Sequence, residues 1–184
     1  MRKTNWILDT EHSSLAFKVN HMAISTVTGQ FKQMQIDILA DDQRVNSGSV
    51  HCRIDTDSVT TGDAYRDQHI KSDALLDVMH HPEIDFVASS FNRLHKDHFT
   101  VRGLLTIKES SREIDIPVKY LGWNEINGKE RIGFESLFAV DRDSFNLTYH
   151  PLLERGGMVI GQHIHIEAYF TFLKDNDELP YGRF

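Results

Sequence analysis

The sequence predicts an all-β fold with one short helical segment, its sheet closed into a barrel. Nearly the whole chain alternates apolar and polar residues with period two, and this alternation is broken once, over Asp63 to Met79, by a stretch of helical spacing. Short polar clusters separate most of the strands. Strands so joined are usually neighbours, which makes the economical topology antiparallel and up-and-down.

Leu15, Phe17, Val19 and His21 alternate with Ser14, Ala16, Lys18 and Asn20, the pattern of a strand with one wet face. The next strand starts in one phase with Val27, Gly29 and Phe31 and continues in the other with Met34, Ile36 and Ile38. That slip predicts a bulge near Lys32 and Gln33, a bend that curls a sheet. Val50, Cys52 and Ile54 follow, and Thr60, Thr61 and Gly62 end the run. Asp63 is then a helix N-cap, and Ile70, Leu75, Leu76 and Met79 supply an imperfect apolar face. The stretch reads as one helix or as two helical turns joined at Ser72 and Asp73.

Five more strands are read from Ile84 and Phe86; from Phe99, Val101, Gly103, Leu105 and Ile107; from Ile114, Ile116, Val118 and Tyr120; from Ile132, Phe134, Phe138 and Val140; and from Ile164, Ile166, Ala168, Phe170 and Phe172. The clusters Asn92 to Asp97, Glu109 to Ser111 and Asn124 to Lys129 have hairpin length. The connection from Asp141 to Gly157 is the least regular and is the candidate cover for one mouth of the barrel.

A chain of 184 residues suits a single domain spanning 1–184. Its 20 basic and 27 acidic residues, net charge −7, provide no basic stripe to neutralise phosphates, so nucleic acid is not an expected partner. Cys52 is the only cysteine, which excludes an intrachain disulfide and a CxxC pair. The first residues, MRKTNWILDT, hold no apolar signal-peptide core, and the expectation is a cytoplasmic protein. No window approaches the roughly 18 apolar residues of a membrane span. Any meeting with lipid is then that of a carrier or a transient contact with a membrane surface.

Phe17, Phe31, Phe86, Phe99 and Phe134 all fall on apolar faces, either as plain core or as the wall of a site. Arg66, Asp67, His69 and Lys71 form the polar side of the helical segment. At i,i+4, Asp67 and Lys71 can pair; the stretch is either a solvated helical face whose Asp67 ties the helix to the barrel rim, or a site at the barrel mouth where Arg66, with His69 or Lys71, meets an anionic or polar head group. His21 ends an apolar strand face, as a structural histidine or near an opening.

His163, His165 and Glu167 share one side of the last strand, a spacing that can grip a divalent metal. Ile164, Ile166, Ala168 and Phe170 claim the opposite, lumen side, so the trio faces outward. It supports the alternative reading, a small metal-dependent enzyme of double-stranded β-helix type. His80 and His81 diverge and precede Pro82 at a strand entry, as in a turn. GxSxG, P-loop, GxGxxG and HExxH motifs are absent from the sequence, so neither a catalytic residue nor a cofactor is assigned.

Beyond periodicity, an ordered set of residues resembles the YceI-like family of lipid-binding proteins. It runs through Trp6, Asp9, His12, Ser13, Phe17, Val19 and His21; Val27, Gly29 and Phe31; Arg66, Asp67, His69, Lys71 and Ser72; Pro82, Ile84 and Phe86; Gly103, Leu105 and Thr106; and Asp141, Arg142, Asp143 and Phe145. The resemblance implies an extended lipocalin-like barrel of eight antiparallel strands, often a homodimer. Its lumen would hold a polyisoprenoid, an isoprenoid quinone or a fatty-acyl amphiphile, for sequestration or transport. Phe17, Val19, His21, Phe31, Phe86, Phe99 and Phe134 are then candidate wall contacts, and Arg66, His69 and Lys71 candidate head-group contacts. The chain departs from the family pattern at Glu109 and Asn146, where glycine is usual; Asn tolerates positive φ, so the turn near Phe145 survives.

Overall fold

In the computed structural model, which describes residues 3–22, 24–41, 44–149 and 160–175, the sheet closes on itself. Its strands are β1 (Lys3–Leu8), β2 (Ser14–His21), β3 (Ser25–Phe31), β4 (Met34–Asp41), β5 (Arg44–Asp55), β6 (Val59–Thr60), β7 (Glu83–Arg93), β8 (His98–Ile107), β9 (Ser110–Ile126), β10 (Lys129–Asp141) and β11 (Ile160–Lys174), with one α-helix, α1 (Ala64–Lys71). All neighbours pair antiparallel, and β1 meets β11 to close the ring.

The ring has eight staves, because three of them are bent strands. β1 and β2 are halves of one stave: β11 pairs with β1 through Phe172, Leu173 and Lys174, and with β2 through residues up to Tyr169. The second stave is β3 with β4, broken at Lys32 and Gln33 where the phase slip places the bend. The third is β5 with β6, broken by the 3-10 turn Thr56–Ser58. These three bends lie side by side. Ser58 ties to the second bend, its Oγ accepting from Gln33 N–H at 3.0 Å and its carbonyl from Lys32 N–H at 3.2 Å.

β1 was not read from the sequence, although Thr4, Trp6 and Leu8 face inward and Ile7 is exposed. The turn between β9 and β10 is built on Asn127 and Gly128, both at positive φ, the pair a two-residue hairpin demands. Asn146 also sits at φ +56, as its replacement of glycine requires, whereas the strained residue of the β8–β9 turn is Lys108 rather than Glu109.

Of the two readings of the helical stretch, the structure favours the broken one: a helix that ends before Ser72, followed by turns. Asp63 caps α1 by accepting from Arg66 N–H at 3.0 Å, but the helix stops at Lys71, where the Ser72 hydroxyl donates to the His69 carbonyl at 2.7 Å. Leu75 and Leu76 reach the interior from the following turns, and Met79 is 87% exposed. α1 has little apolar face of its own and is held by polar ties. Both oxygens of Asp67 accept from β6 and its end: the Thr60 hydroxyl at 2.8 Å, the Thr61 hydroxyl at 2.6 Å and the Thr61 N–H at 2.7 Å. The expected Asp67–Lys71 pair is not formed, because Lys71 turns to Asp57 at 2.9 Å.

Inside, the barrel has two unlike halves. Around β1, β4 and the C-terminal part of β11, Leu8, Ile36 and Phe172 are buried with Trp6, Ile132, Phe134 and Phe170 packed on them. The rings of Phe134, Phe170 and Phe172 meet edge to face, with centroids 6.0 and 6.3 Å apart. The half bounded by α1 is hollow.

Candidate functional site

The hollow half encloses a cavity of about 440 Å³, within the range of small-molecule sites. Apolar, mostly aliphatic side chains dominate its wall: Val19 and Val27 from β2 and β3, Ile54, Val59 and Ile84 from β5 to β7, Leu105 and Ile107 from β8, Phe138 and Val140 from β10, Ile164 and Ile166 from β11. Successive inward residues of each strand step along the barrel axis, so the floor can be located. Ile84, Leu105, Phe138 and Ile166 line the cavity; Phe86, Gly103, Ser136 and Ala168, the next inward positions along each strand, are buried beneath it.

Phe86 lies over Gly103, where a Cβ would come within 2.6 Å of the ring and 2.5 Å of the Val87 carbonyl oxygen. Gly29 plays the matching part in the wall: it stands opposite Phe17, whose ring would be 2.3 Å from an added Cβ. Phe17 in turn packs on Phe31 at 5.8 Å.

Polar groups in the lining come from His21, Arg66, His69, Arg142 and Tyr149. Tyr149 is open to solvent, His21, Arg66 and His69 are half-buried and Arg142 is buried, which places the mouth beside Tyr149, between α1, the end of β2 and the segment after β10. Arg66 uses Nε on the Thr61 hydroxyl at 2.7 Å and Nη2 on the Thr61 carbonyl at 3.2 Å. The His69 ring stands edge-on to Tyr149 at 4.5 Å, and its Nε2 is buried without a hydrogen-bond partner among the described residues. A guest that offers a polar atom there relieves the cost of burying that nitrogen unpaired.

Arg142 is a buried staple. Its Nη1 donates to the Leu147 carbonyl at 2.6 Å and its Nη2 to the Tyr149 carbonyl at 3.0 Å, curling the segment after β10 so that Leu147 joins the wall. Burial pulls its pKa down from the ordinary arginine value, against the opposing charges of Asp143 and Asp141. The connection that the sequence assigns to covering a mouth is therefore seen at the mouth as far as Tyr149, and its part from 150 to 157 lies outside the described residues.

Of the candidate contacts, Phe17, Val19, His21, Phe31, Arg66 and His69 line the cavity. Lys71 does not, being drawn to Asp57. Phe86, Phe99 and Phe134 face inward but sit below the wall, in the packed part of the barrel. Leu75 and Leu76, read from the sequence as part of a helix face, and Arg142, read only as part of the family resemblance, also line the cavity, as does Tyr149, which no sequence signal marks; all four come from irregular segments where periodicity does not show which way a side chain points.

The metal alternative loses its footing. His163 and His165 are exposed on the outer face, and Glu167 is engaged by Lys18 at 2.6 Å. Among the described residues no three His, Cys, Asp or Glu side chains are grouped to hold a metal ion. His80 pairs with Asp77 and His81 with Glu109, both at 2.9 Å, as fits a turn. Burial, with Asp85 nearby, pushes the Cys52 thiol up to about 12, which keeps it in the protonated, weakly nucleophilic form at neutral pH.

Comparison with known proteins agrees with this architecture. A family model described as a YceI-like domain matches residues 6–172. A UPF0312 protein of Staphylococcus epidermidis is 29% identical over 175 residues, covering 94% of this chain and 99% of the relative. Among solved structures, BcnA of Burkholderia cenocepacia superposes with a TM-score of 0.76 at 20% identity, covering 89% of this chain and 98% of its own. A domain of Saccharophagus degradans described as polyisoprenoid-binding and implicated in plant cell wall breakdown does so with a TM-score of 0.70 at 15% identity, covering 92% and 98%.

Proposed function

The chain belongs to the YceI-like domain family, and from that premise we propose that it binds a polyisoprenoid or another long-chain amphiphile, tail inward, in the hollow half of the barrel. One observation supports this above the rest: a cavity of about 440 Å³ is lined almost wholly by apolar side chains, its polar lining limited to His21, Arg66, His69, Arg142 and Tyr149, of which Tyr149 opens to solvent. An apolar chain gains from leaving water for such a wall, at roughly 0.8 kcal/mol per methylene, so about ten methylenes contribute about 8 kcal/mol before ordering costs.

In this reading Arg66 and His69 face the polar end of the guest, a quinone ring or a phosphate. His69 Nε2 offers the guest a hydrogen bond that it makes to none of the described residues. The Saccharophagus domain, described as polyisoprenoid-binding, supports the ligand class. Transport between a donor and an acceptor, and association into a homodimer, extend the same proposal.

Filling the cavity tests it. Ile164 points into the hollow from the middle of the wall, so Ile164→Trp is expected to lower loading with geranylgeraniol at least about tenfold while the melting temperature stays within a few degrees. Loading is read by organic extraction and mass spectrometry of the re-isolated protein. Undiminished loading of a correctly folded variant would refute binding in this cavity.

A further inference from the structure

We propose that the rim around the cavity mouth is a membrane-docking surface, formed by Met22 and Ile24 on the β2–β3 turn and Tyr65 on α1, through which a guest passes directly between a bilayer and the cavity. The inference rests on the cavity being a lipid site. It adds where and how that site meets its source.

Ile24 is 90% exposed, Tyr65 84% and Met22 45%. Each adjoins a residue of the mouth: Met22 follows His21, Ile24 closes the same turn through its N–H to the His21 carbonyl at 3.4 Å, and Tyr65 precedes Arg66. Scattered apolar side chains are ordinary on a surface, but here they border an opening whose interior is itself apolar. From outside inward, the route passes from these exposed apolar side chains, past the polar lining residues His21, Arg66 and His69, to the apolar wall of the cavity.

Met22 adds a separate observation. It sits at φ +53, in the left-handed region that bulky residues avoid. Among the described residues, the other non-glycine positions at positive φ are Asp77, Lys108, Asn127 and Asn146, all polar. A glycine or asparagine would make this turn with less strain. The turn instead holds a long thioether side chain out at the mouth, and a strained, exposed apolar residue is a pointer to function.

The occupant follows from chemistry. A long isoprenoid is sparingly soluble in water, so its exchange is fastest where the mouth touches the phase that contains it. Tyrosine suits the boundary between head groups and acyl chains, and isoleucine and methionine suit the layer just beneath. The net charge of −7 gives no general attraction to anionic lipid. Docking is therefore apolar and shallow, and its rate should change little with salt.

The test uses the full chain and phosphatidylcholine vesicles containing geranylgeraniol. The double variant Ile24→Asp, Tyr65→Asp is expected to take up geranylgeraniol from vesicles about tenfold more slowly or worse, since two charges must now enter the interface. Its equilibrium loading from cyclodextrin should stay within about twofold of the parent chain, because neither residue lines the cavity. Ile126→Asp, an exposed site on the β9–β10 hairpin at the packed end, serves as control and should change neither.

An unchanged uptake rate in the double variant, or equal slowing in Ile126→Asp, overturns the proposal. If the parent chain takes up no geranylgeraniol even from cyclodextrin, the cavity reading fails by itself. The rim is then judged by flotation of the free protein with vesicles: flotation lost in the double variant supports it, and absent or equal flotation refutes it.

Discussion

The two halves of the barrel are made from the same alternating strands, yet one is solid and the other hollow. In the packed half, aromatic rings of the neighbouring strands β10 and β11 pack edge to face on the inner side of the sheet, and Phe172 is left 2% exposed. In the hollow half the inward residues are mostly aliphatic, and α1 with the residues after it is laid across the opening. The change occurs where three adjacent staves bend, at Thr10–His12, at Lys32 and Gln33, and at Thr56–Ser58. Bends at one level let the sheet change direction there, so the strands above need not follow the tight packing below. Thr56, 1% exposed, fixes that level to the start of β7, its N–H donating to the Pro82 carbonyl and its hydroxyl to the His81 carbonyl. Stability and capacity are thereby assigned to different heights of one sheet.

The largest expected effect comes from breaking that division in the packed half. Phe172→Ala removes a ring enclosed on all sides and should cost about 3–5 kcal/mol of unfolding free energy. Phe17→Ala removes a ring that borders empty space and should cost less than half as much, because fewer contacts are lost. Urea unfolding of the two variants measures the contrast; equal costs would mean that the hollow half is as rigidly packed as the other.

Two glycines sharpen the same comparison at a smaller scale. Gly103→Ala sets a methyl against the Phe86 ring and the backbone carbonyl of Val87, neither of which has room to retreat, and overpacking of this kind costs about 1–3 kcal/mol. Gly29→Ala meets only the Phe17 ring, which can swing into the cavity. Its cost should fall in loading rather than in stability: a melting temperature close to the parent chain, with reduced geranylgeraniol bound at saturation.

The sequence made one coordinate of the barrel legible and hid another. Period two says which residues face inward, and it read β2 to β5 and β7 to β11 correctly, down to the bend at Lys32 and Gln33. It says nothing of height along the axis. Phe86, Phe99 and Phe134 therefore looked equivalent to Phe17 and Phe31, although the former pack below the floor and the latter line the cavity. β1 escapes the pattern because Thr4 stands where an apolar residue would have extended it, while the pairing of Lys71 with Asp57, away from the cavity lining, is invisible to helical spacing because Asp57 lies on a neighbouring turn. Arg142 lies just past β10, and its staple depends on carbonyls five and seven residues on that have no sequence signature.

The smallest effect concerns how α1 is held over the hollow half, where polar ties replace packing. Burial alone would raise the pKa of Asp67, but the hydrogen bonds from Thr61 and Thr60 and the charge of Arg66 outweigh it, leaving the carboxyl below its ordinary value of 3.8. A lowered folded-state pKa means that the unfolded chain binds the proton more readily. The stabilisation is thus complete above 3.8 and is lost as pH falls through the lower folded value. Asp67→Asn abolishes that charge and turns an amide NH₂ toward donors, so the variant should unfold at lower urea than the parent chain at neutral pH. The gap should persist unchanged down to about pH 5 and close below 3.8. A gap that stayed constant into the acid range would show that shape, rather than the carboxylate, fastens α1 to β6, and the contrast between a packed half and a tethered half would lose its electrostatic part.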